Sequence, residues 1–343
     1  MKNKMLIICV FATSILYSQS ILLKPDRVFD GLEMHANWWV LVEGNQISEC
    51  GPPSSITPNP GVAIRELPGT TLLPGLIEGH AHILLYPYDQ TPWNDQVLKE
   101  SEAYRVAKAV KHAEATLRAG YTTIRDLGSE GAGYADVGIK KAINDGVIDG
   151  PRMIVSGRAI VTTGSYGPKG FRPDMEVPLG AEEADGYDNL IKVVRDQIGK
   201  GADFIKVYAD YRWGPNGEAR PTFTQEELNL MVKVAASSGR DVVAHAATAE
   251  GMRRATLAGV KTIEHGDGGT AEVFRLMKEH NVALCPTLAA GDAIMQYRGW
   301  NKGVDPDPER IVKKKESFKL ALRSGVQISA GGDVGVFERQ GTP

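Results

Sequence analysis

The sequence predicts an α/β protein, namely a (β/α)8 TIM-like barrel with a small N-terminal β-sandwich unit and a C-terminal part that ends early. Three observations predict this fold class. After Leu72 the chain alternates predicted strands and helices, with eight strands in all. Most of the predicted helices stop at a glycine. Metal-binding side chains recur at the ends of predicted strands, where a parallel barrel collects its functional residues.

The first twenty residues differ in composition from the rest of the chain. Lys2 and Lys4 precede an apolar run over residues 5–17, and small polar residues follow at 18–20. This order predicts a secretory signal peptide over residues 1–20, because the apolar run is too short to span a bilayer comfortably. We therefore expect an exported protein, periplasmic or secreted, without membrane contact once the leader is removed.

Residues 21–70 are predicted to form a small β unit. An apolar run ending at Val42 and the following Ile47 flank the pair Gly44-Asn45, which is typical of a β-hairpin. About fifty residues are too few to bury a stable core without help. This unit is therefore expected to accompany the barrel.

Residues 71–343 are predicted to form the barrel. Its eight predicted strands cover residues 72–83, 121–127, 153–161, 203–209, 241–246, 260–265, 282–288 and 326–333. The predicted helices cover residues 95–119, 134–145, 182–200, 225–238, 250–258, 271–279 and 306–324. The chain stops ten residues after Asp333, so we expect a truncated barrel that lacks its last helix.

Six residues at predicted strand ends have side chains that bind metal ions: His80, His82, Lys206, His245, His265 and Asp333. Their intervals, at roughly 30 residues per barrel unit, assign them to strands one, four, five, six and eight. The two histidines of strand one alternate and so point to the same face. Such a pair alone is often an ordinary core feature. The further ligand types at matching strand ends favour a site for two divalent cations.

Lys206 is unusual among metal ligands. Its ammonium form would repel each of two dications by about 8 kcal/mol at roughly 4 Å and an effective dielectric of about 20. Reaction of the neutral amine with carbon dioxide gives an anionic carbamate with two oxygens, which can bridge two metal ions. The alternative is an ordinary lysine whose charge reaches solvent at the barrel rim.

These residues resemble the amidohydrolase superfamily, in the imidazolonepropionase-like and prolidase-like branch that carries a carboxylated lysine on the fourth strand. The likeness covers nearly the whole chain after the leader, including the run Leu-Pro-Gly-Leu-Ile at 73–77. The runs at 166–171, 208–213 and 285–289 look closest to bacterial amidohydrolases that hydrolyse ochratoxin.

The resemblance implies a binuclear enzyme that cleaves an amide bond in a dipeptide, an N-acyl amino acid or an ochratoxin-like aryl amide. It implies that Asp333 and the two strand-one histidines hold one metal ion, usually zinc, and that His245 and His265 hold the other. Lys206, carboxylated by carbon dioxide, would bridge them. A hydroxide between the metals would attack the carbonyl, while Asp333 would accept and return its proton.

Substrate contacts are predicted from loops at the same end of the barrel. Tyr166, Tyr208 and Arg212 are the candidates, because an arginine suits a substrate carboxylate and the tyrosines suit a lid. The net charge of −3 argues against a nucleic-acid or membrane partner. The expected partner is a small-molecule amide, and a homo-oligomer is left open.

Two other functions fit parts of the pattern. A deaminase or cyclic-amide hydrolase with one metal ion shares this architecture, but Thr248 stands three residues after His245, where deaminases usually have a glutamate. Deaminases also lack the fourth-strand lysine. A non-catalytic assembly protein that kept the barrel should show gaps in the ligand set, and the sequence has none.

Overall fold

The computed structural model describes residues 20–337. The predicted signal peptide lies outside the described residues, apart from Ser20. Internal packing divides the chain after Pro74 into two units, which are described separately. Within residues 20–337, no helix is long and apolar enough to cross a membrane.

The N-terminal unit is a five-stranded sheet. Its strands are β1 (Ser20–Phe29), β2 (Met34–Ala36), β3 (Trp39–Glu43), β4 (Gln46–Gly51) and β5 (Ala63–Leu72). The predicted hairpin is present, since β3 and β4 pair around Gly44 and Asn45, with Gly44 at a φ of 61°. Hydrogen bonds join all five strands in one sheet, with β5 parallel to β1. The predicted small N-terminal β unit is thus present, and its described strands form one sheet.

The second unit is the TIM-like barrel. Its strands are β6 (Leu76–Ala81), β7 (Tyr121–Asp126), β8 (Arg152–Val155), β9 (Ile160–Val161), β10 (Glu182–Glu183), β11 (Ile205–Tyr208), β12 (Asp210–Arg212), β13 (Ala219–Pro221), β14 (Val242–Ala246), β15 (Thr262–His265) and β16 (Ala283–Cys285). Parallel pairing runs through β6-β7-β8 and through β9-β11-β14-β15-β16, with β10 beside β9. The remaining two, β12 and β13, form a separate antiparallel hairpin.

The predicted third strand, 153–161, is broken in two. β8 pairs with strand two and β9 pairs with strand four. Gly157 lies between them at a φ of 70°, which an L side chain rarely adopts. The amide of Asp203 also donates to the carbonyl of Val155 over 2.8 Å, so the third and fourth strands remain connected on this side.

The predicted eighth strand, 326–333, is largely irregular. Within it, Ile328 forms a bridge with Leu284 of β16. The next residue after the predicted strand, Val334, forms a bridge with Ala81 of β6, and these two bridges close the ring. Asp333 itself lies outside any strand, at a φ of 65°. Its amide donates to the carbonyl of His80 over 2.8 Å, so the first strand holds this segment in place without a regular ladder.

Helices cover the outside of the barrel. They are α1 (Trp93–Lys99), α2 (Glu102–Arg118), α3 (Ala135–Asn144), α4 (Gly186–Gly199), α5 (Gln225–Ala236), α6 (Ala249–Ala258), α7 (Ala271–Glu279), α8 (Leu288–Tyr297) and α9 (Glu309–Ser324). The predicted helix 95–119 is two helices, because Ser101 caps the second one by accepting from the amide of Tyr104. Neither α8 nor the β12–β13 hairpin was predicted from the sequence.

Candidate metal centre and active site

A cavity of about 890 Å³ opens at the carboxyl ends of the barrel strands. Five of the six predicted metal-binding residues line it: His80, His82, His245, His265 and Asp333. The sixth, Lys206, is on β11 and only 1% exposed. The predicted substrate residues Tyr166, Tyr208 and Arg212 line the same cavity. Residues more than two hundred positions apart in the sequence therefore meet at one site.

The first group of metal-binding atoms lies around Asp333. The Nε2 atoms of His80 and His82 lie 3.6 and 3.4 Å from Oδ1 of Asp333. The other ring nitrogen of His82 donates to the carbonyl oxygen of Gly128 over 2.9 Å. Because a carbonyl only accepts, His82 carries its proton on Nδ1 and turns the lone pair of Nε2 towards Asp333.

A buried carboxylate sets the orientation of His80 in the same way. Nδ1 of His80 donates to Oε2 of Glu264 over 2.8 Å. Oδ1 of Asp333 is buried and has no hydrogen-bond partner within the described residues. Two imidazole lone pairs and an unsatisfied carboxylate oxygen thus face one another, an arrangement that repels itself unless a cation lies between them. The donor set fits a divalent metal ion.

The second group extends this arrangement across the cavity. The ring of His265 lies 5.1 Å from that of His80 and 4.4 Å from that of His245, measured between centroids. His80, His265 and Asp333 each offer a ligand atom within 4.8 Å of the others. Nδ1 of His265 is 2.7 Å from the hydroxyl of Thr287. The histidines of strands one, five and six therefore adjoin one another.

Aromatic and carboxylate neighbours orient His245. Its ring stacks on Tyr208, with centroids 4.6 Å apart and planes 15° from parallel. Its Nε2 lies 3.8 Å from Oδ1 of Asp210, a fully buried carboxylate. Asp210 in turn accepts from the amides of Ala247 and Thr248. The loop after β14 is thus tied to the residue that faces His245.

The electrostatics of the site favour uncharged bases. Burial lowers the pKa of His80, His245 and His265 well below that of a free imidazole, with the charge of Lys206 adding to the effect. Burial also lowers the pKa of Lys206, against the opposite pull of the carboxylates of Glu264 and Asp333. Neutral imidazoles are the form that binds metal ions, and a neutral amine is the form that reacts with carbon dioxide.

Backbone strain is concentrated at this site. Apart from two asparagines, the non-glycine residues with positive φ within residues 20–337 are Glu130, His265, Thr287 and Asp333, at 48°, 76°, 46° and 65°. All four line the cavity. Such conformations cost about 1–3 kcal/mol each and persist where the surrounding structure imposes them. These four residues therefore lower the stability of the fold, and their strained backbone directs their side chains into the cavity.

Three buried carboxylates, Glu130, Asp210 and Glu264, were not predicted from the sequence. Glu264 precedes His265 and also accepts from Arg125 over 2.7 Å. Glu130 accepts from the Trp93 indole over 2.9 Å and from a tyrosine hydroxyl over 2.6 Å. A charged residue inside an apolar strand, as in Thr-Ile-Glu-His, is a signal that could have identified Glu264, because buried charges need partners.

The charged loop residues divide into two groups. Arg212 lines the cavity and donates to the hydroxyl of Tyr211 over 2.9 Å. Arg172 and Arg220, on neighbouring loops, pair instead with Asp174 and Glu218 and do not line it. Four other cations that were not predicted from the sequence also line the cavity, namely Arg298, Arg310, Lys313 and Lys314.

Comparison with known proteins identifies a family and several similar proteins. The Amidohydrolase family pattern matches residues 71–338. Ochratoxinase from Aspergillus niger is 31% identical over 294 residues, which are 76% of this chain and 58% of that protein. The chain therefore spans a little more than half the length of this curated relative. The crystal structure of the A. niger ochratoxinase has a TM-score of 0.73 and 26% identity, covering 92% of this chain and 76% of the other.

A second solved structure is similar to a comparable degree. It is a Xaa-Pro dipeptidase with methionine bound in its active site. The TM-score is 0.78 at 30% identity, covering 94% of this chain and 81% of that one.

Proposed function

Because the chain belongs to the amidohydrolase family, we propose that it is a metal-dependent hydrolase that cleaves an amide bond. Its similarity to an ochratoxinase and to a Xaa-Pro dipeptidase supports this reaction type. The observation that carries the proposal is the unsatisfied Oδ1 of Asp333, which faces the lone pairs of His80 and His82.

The residues would hold two metal ions, for which zinc is the proposed identity. His80, His82 and Asp333 would hold one, and His245 and His265 the other. Lys206, carboxylated by carbon dioxide, would bridge them. When bound, such ions lower the pKa of a water molecule and polarise a carbonyl group.

Asp333 is the proposed catalytic residue. Its carboxylate is buried at the meeting point of the histidines, and burial raises its pKa. A carboxylate at this position could accept a proton from an attacking water and return it to the leaving amine. Glu264 and Gly128 hold the imidazoles so that Nε2 of each points at the same oxygen.

The proposed substrate class is a dipeptide, an N-acyl amino acid or an ochratoxin-like aryl amide. Each of these carries a carboxylate beside the scissile amide. Arg212, Arg298 and Arg310 line the cavity and supply guanidinium groups suited to it. Tyr166 and Tyr208 form part of an aromatic wall, with ring centroids 4.8 Å apart, on which an acyl or side-chain group can pack.

The decisive experiment combines metal analysis with a lysine variant. We expect about two zinc ions per chain and hydrolysis of at least one compound in a library of dipeptides, N-acyl amino acids and an ochratoxin-like amide. Lys206→Ala should lose this activity, and short carboxylic acids should partly restore it by replacing the carbamate. Lys192→Ala, which removes an exposed lysine, is the matched control. A wild-type protein that takes up no metal would overturn the proposal.

The prediction of export also stays a proposal. It rests on the composition of residues 1–20. Expression in a bacterial host, fractionation and N-terminal sequencing of the product would test it. A product that retains Met1 in the cytoplasmic fraction would contradict it.

A further inference from the structure

Glu130 is a buried carboxylate that the proposed reaction does not use. It follows β7, lines the cavity and is only 2% exposed. Its backbone is held at a φ of 48°. The segment before it is tied to the metal-binding residues, since Gly128 accepts from His82 over 2.9 Å. The side chain is therefore fixed in place near the candidate metal centre.

The hydrogen bonds of this carboxylate are unevenly shared between its two oxygens. Oε2 accepts from the indole of Trp93 over 2.9 Å and from the hydroxyl of Tyr166 over 2.6 Å. Oε1 has one long contact, 3.5 Å to the hydroxyl of Tyr208. A carboxylate has about four acceptor positions, so Oε1 has room for a further donor.

The charge of Glu130 also lacks a direct partner. Within residues 20–337, no lysine, arginine or histidine forms an ion pair with it. The guanidinium of Arg105 approaches but donates to the backbone carbonyls of Glu130, Ser129 and Leu84 instead. Arg105 and Lys206 therefore act on this buried carboxylate only through space, and a cationic ligand that donates to it directly would offset more of the cost of its burial.

The surroundings of Oε1 suit a cation as well. Tyr166 packs against Trp93, Tyr208 and Tyr211, with ring centroids 5.3, 4.8 and 4.9 Å away. All four rings line the cavity with Glu130. Aromatic faces attract ammonium groups through their quadrupoles. A carboxylate within an aromatic wall therefore combines a hydrogen-bond acceptor with a surface that favours positive charge.

We propose that Glu130 and these rings form a receptor for the α-ammonium group of an aminoacyl substrate. This inference rests on the proposed amide hydrolysis and narrows its substrate class to dipeptides with a free amino end. N-acyl amino acids and aryl amides, which have no ammonium group, would leave Glu130 without its charged partner. Glu130 is thus a specificity-determining residue.

A matched pair of ligands tests the receptor. L-alanyl-L-phenylalanine and N-propanoyl-L-phenylalanine have the same skeleton and differ only in the ammonium group. Wild type should bind the dipeptide about 10- to 100-fold more tightly, the range expected for one charge-assisted hydrogen bond. Calorimetric titration of zinc-free protein measures this ratio without hydrolysis. The ratio of kcat/KM in the zinc-loaded protein should follow it.

Glu130→Gln should reduce both the ratio of affinities and the ratio of kcat/KM for the two ligands at least about tenfold. The reason is that glutamine keeps an oxygen for Trp93 and Tyr166 but loses the charge. Glu176→Gln removes an exposed charge and is the matched control. Tyr166→Phe, which keeps the charge, should preserve the preference for the dipeptide. The proposed receptor would be refuted if wild type bound the two ligands equally. It would also be refuted if Glu130→Gln left the two ratios unchanged. If the ligands bind as expected but neither is hydrolysed by the zinc-loaded protein, the proposed function fails and the receptor stands.

Discussion

Glu264→Gln is the most informative substitution outside the proposed ligands. Glu264 is fully buried on β15 and connects two positions. Oε2 accepts from Nδ1 of His80 over 2.8 Å, and Oε1 accepts from the guanidinium of Arg125 over 2.7 Å. The substitution keeps the size and shape of the side chain. It replaces one of the two acceptor oxygens with an NH2 group.

The consequence follows from counting donors. Arg125 has only donors, so the single oxygen of the introduced glutamine would turn towards it. The amide NH2 would then face Nδ1 of His80, which must give up its proton and accept. The proton of His80 moves to Nε2, so the lone pair that faces Asp333 is lost. The substitution therefore removes the metal-binding lone pair of His80 although His80 itself is unchanged.

The expected magnitude is a 10- to 100-fold loss of zinc affinity, roughly 1.4–2.7 kcal/mol, as is typical for a residue that orients a metal ligand. The metal-free protein should also unfold more easily, by about 1.5–3 kcal/mol, because a buried charge-assisted hydrogen bond is weakened. Competition with a chromogenic chelator measures the affinity, and calorimetry of the metal-free protein measures the stability.

Glu279→Gln, at an exposed ion pair on α7, provides the matched control. The reasoning would be refuted if Glu264→Gln lowered the stability of the metal-free protein but bound zinc as tightly as wild type. In that case Glu264 would be an ordinary structural carboxylate, and the tautomer of His80 would not depend on it.

Three further predictions address the rest of the barrel. In Gly79→Ala, the new Cβ would lie 2.5 Å from the carbonyl oxygen of Ala330. Chemical denaturation should show a free energy of unfolding lower by about 1–3 kcal/mol, and an unchanged denaturation midpoint would contradict this. Burial, with the charge of Asp126 adding to it, raises the pKa of Asp136 above 3.8. The folded form therefore holds this proton more tightly, and the free energy of unfolding falls as pH rises through the raised pKa. Asp136→Asn should flatten that decline between about pH 4 and 8, and a free energy of unfolding with the same pH dependence as wild type would count against this. Chelation of metal should lower the Tm, and zinc at about 100 times its Kd should restore about 2.7 kcal/mol, whereas a Tm insensitive to zinc would argue against a site.

The alternation of strands and helices was predictable from the sequence because each barrel unit has local signals. Thr224 caps α5 with a capping box formed with Glu227, and both residues stand at the spacing that predicts a helix start. Gly259 and Gly325 end their helices in the left-handed conformation. Such signals lie within a few residues of one another, so a single sequence contains them in full.

The details of the site were less predictable because they depend on distant pairings. Asp333 was expected at the end of a regular strand. It lies instead in an irregular segment held by the backbone of His80. Glu264 acquires its role from partners 184 and 139 positions away. Glu130 depends on aromatic side chains from two other segments. No pattern within a window of ten or twenty residues contains these relations.

The costs within the site have a common physical origin. Oδ1 of Asp333 is buried and has no hydrogen-bond partner among residues 20–337, which costs about 1–3 kcal/mol. His265, Thr287 and Asp333 hold strained backbone conformations, at about 1–3 kcal/mol each. Lys206 is buried among groups of both signs. None of these features stabilises a metal-free barrel. A bound cation would satisfy Oδ1 of Asp333 and the imidazole lone pairs together, which offsets part of these costs. The strain is thus best explained as preorganisation for cations.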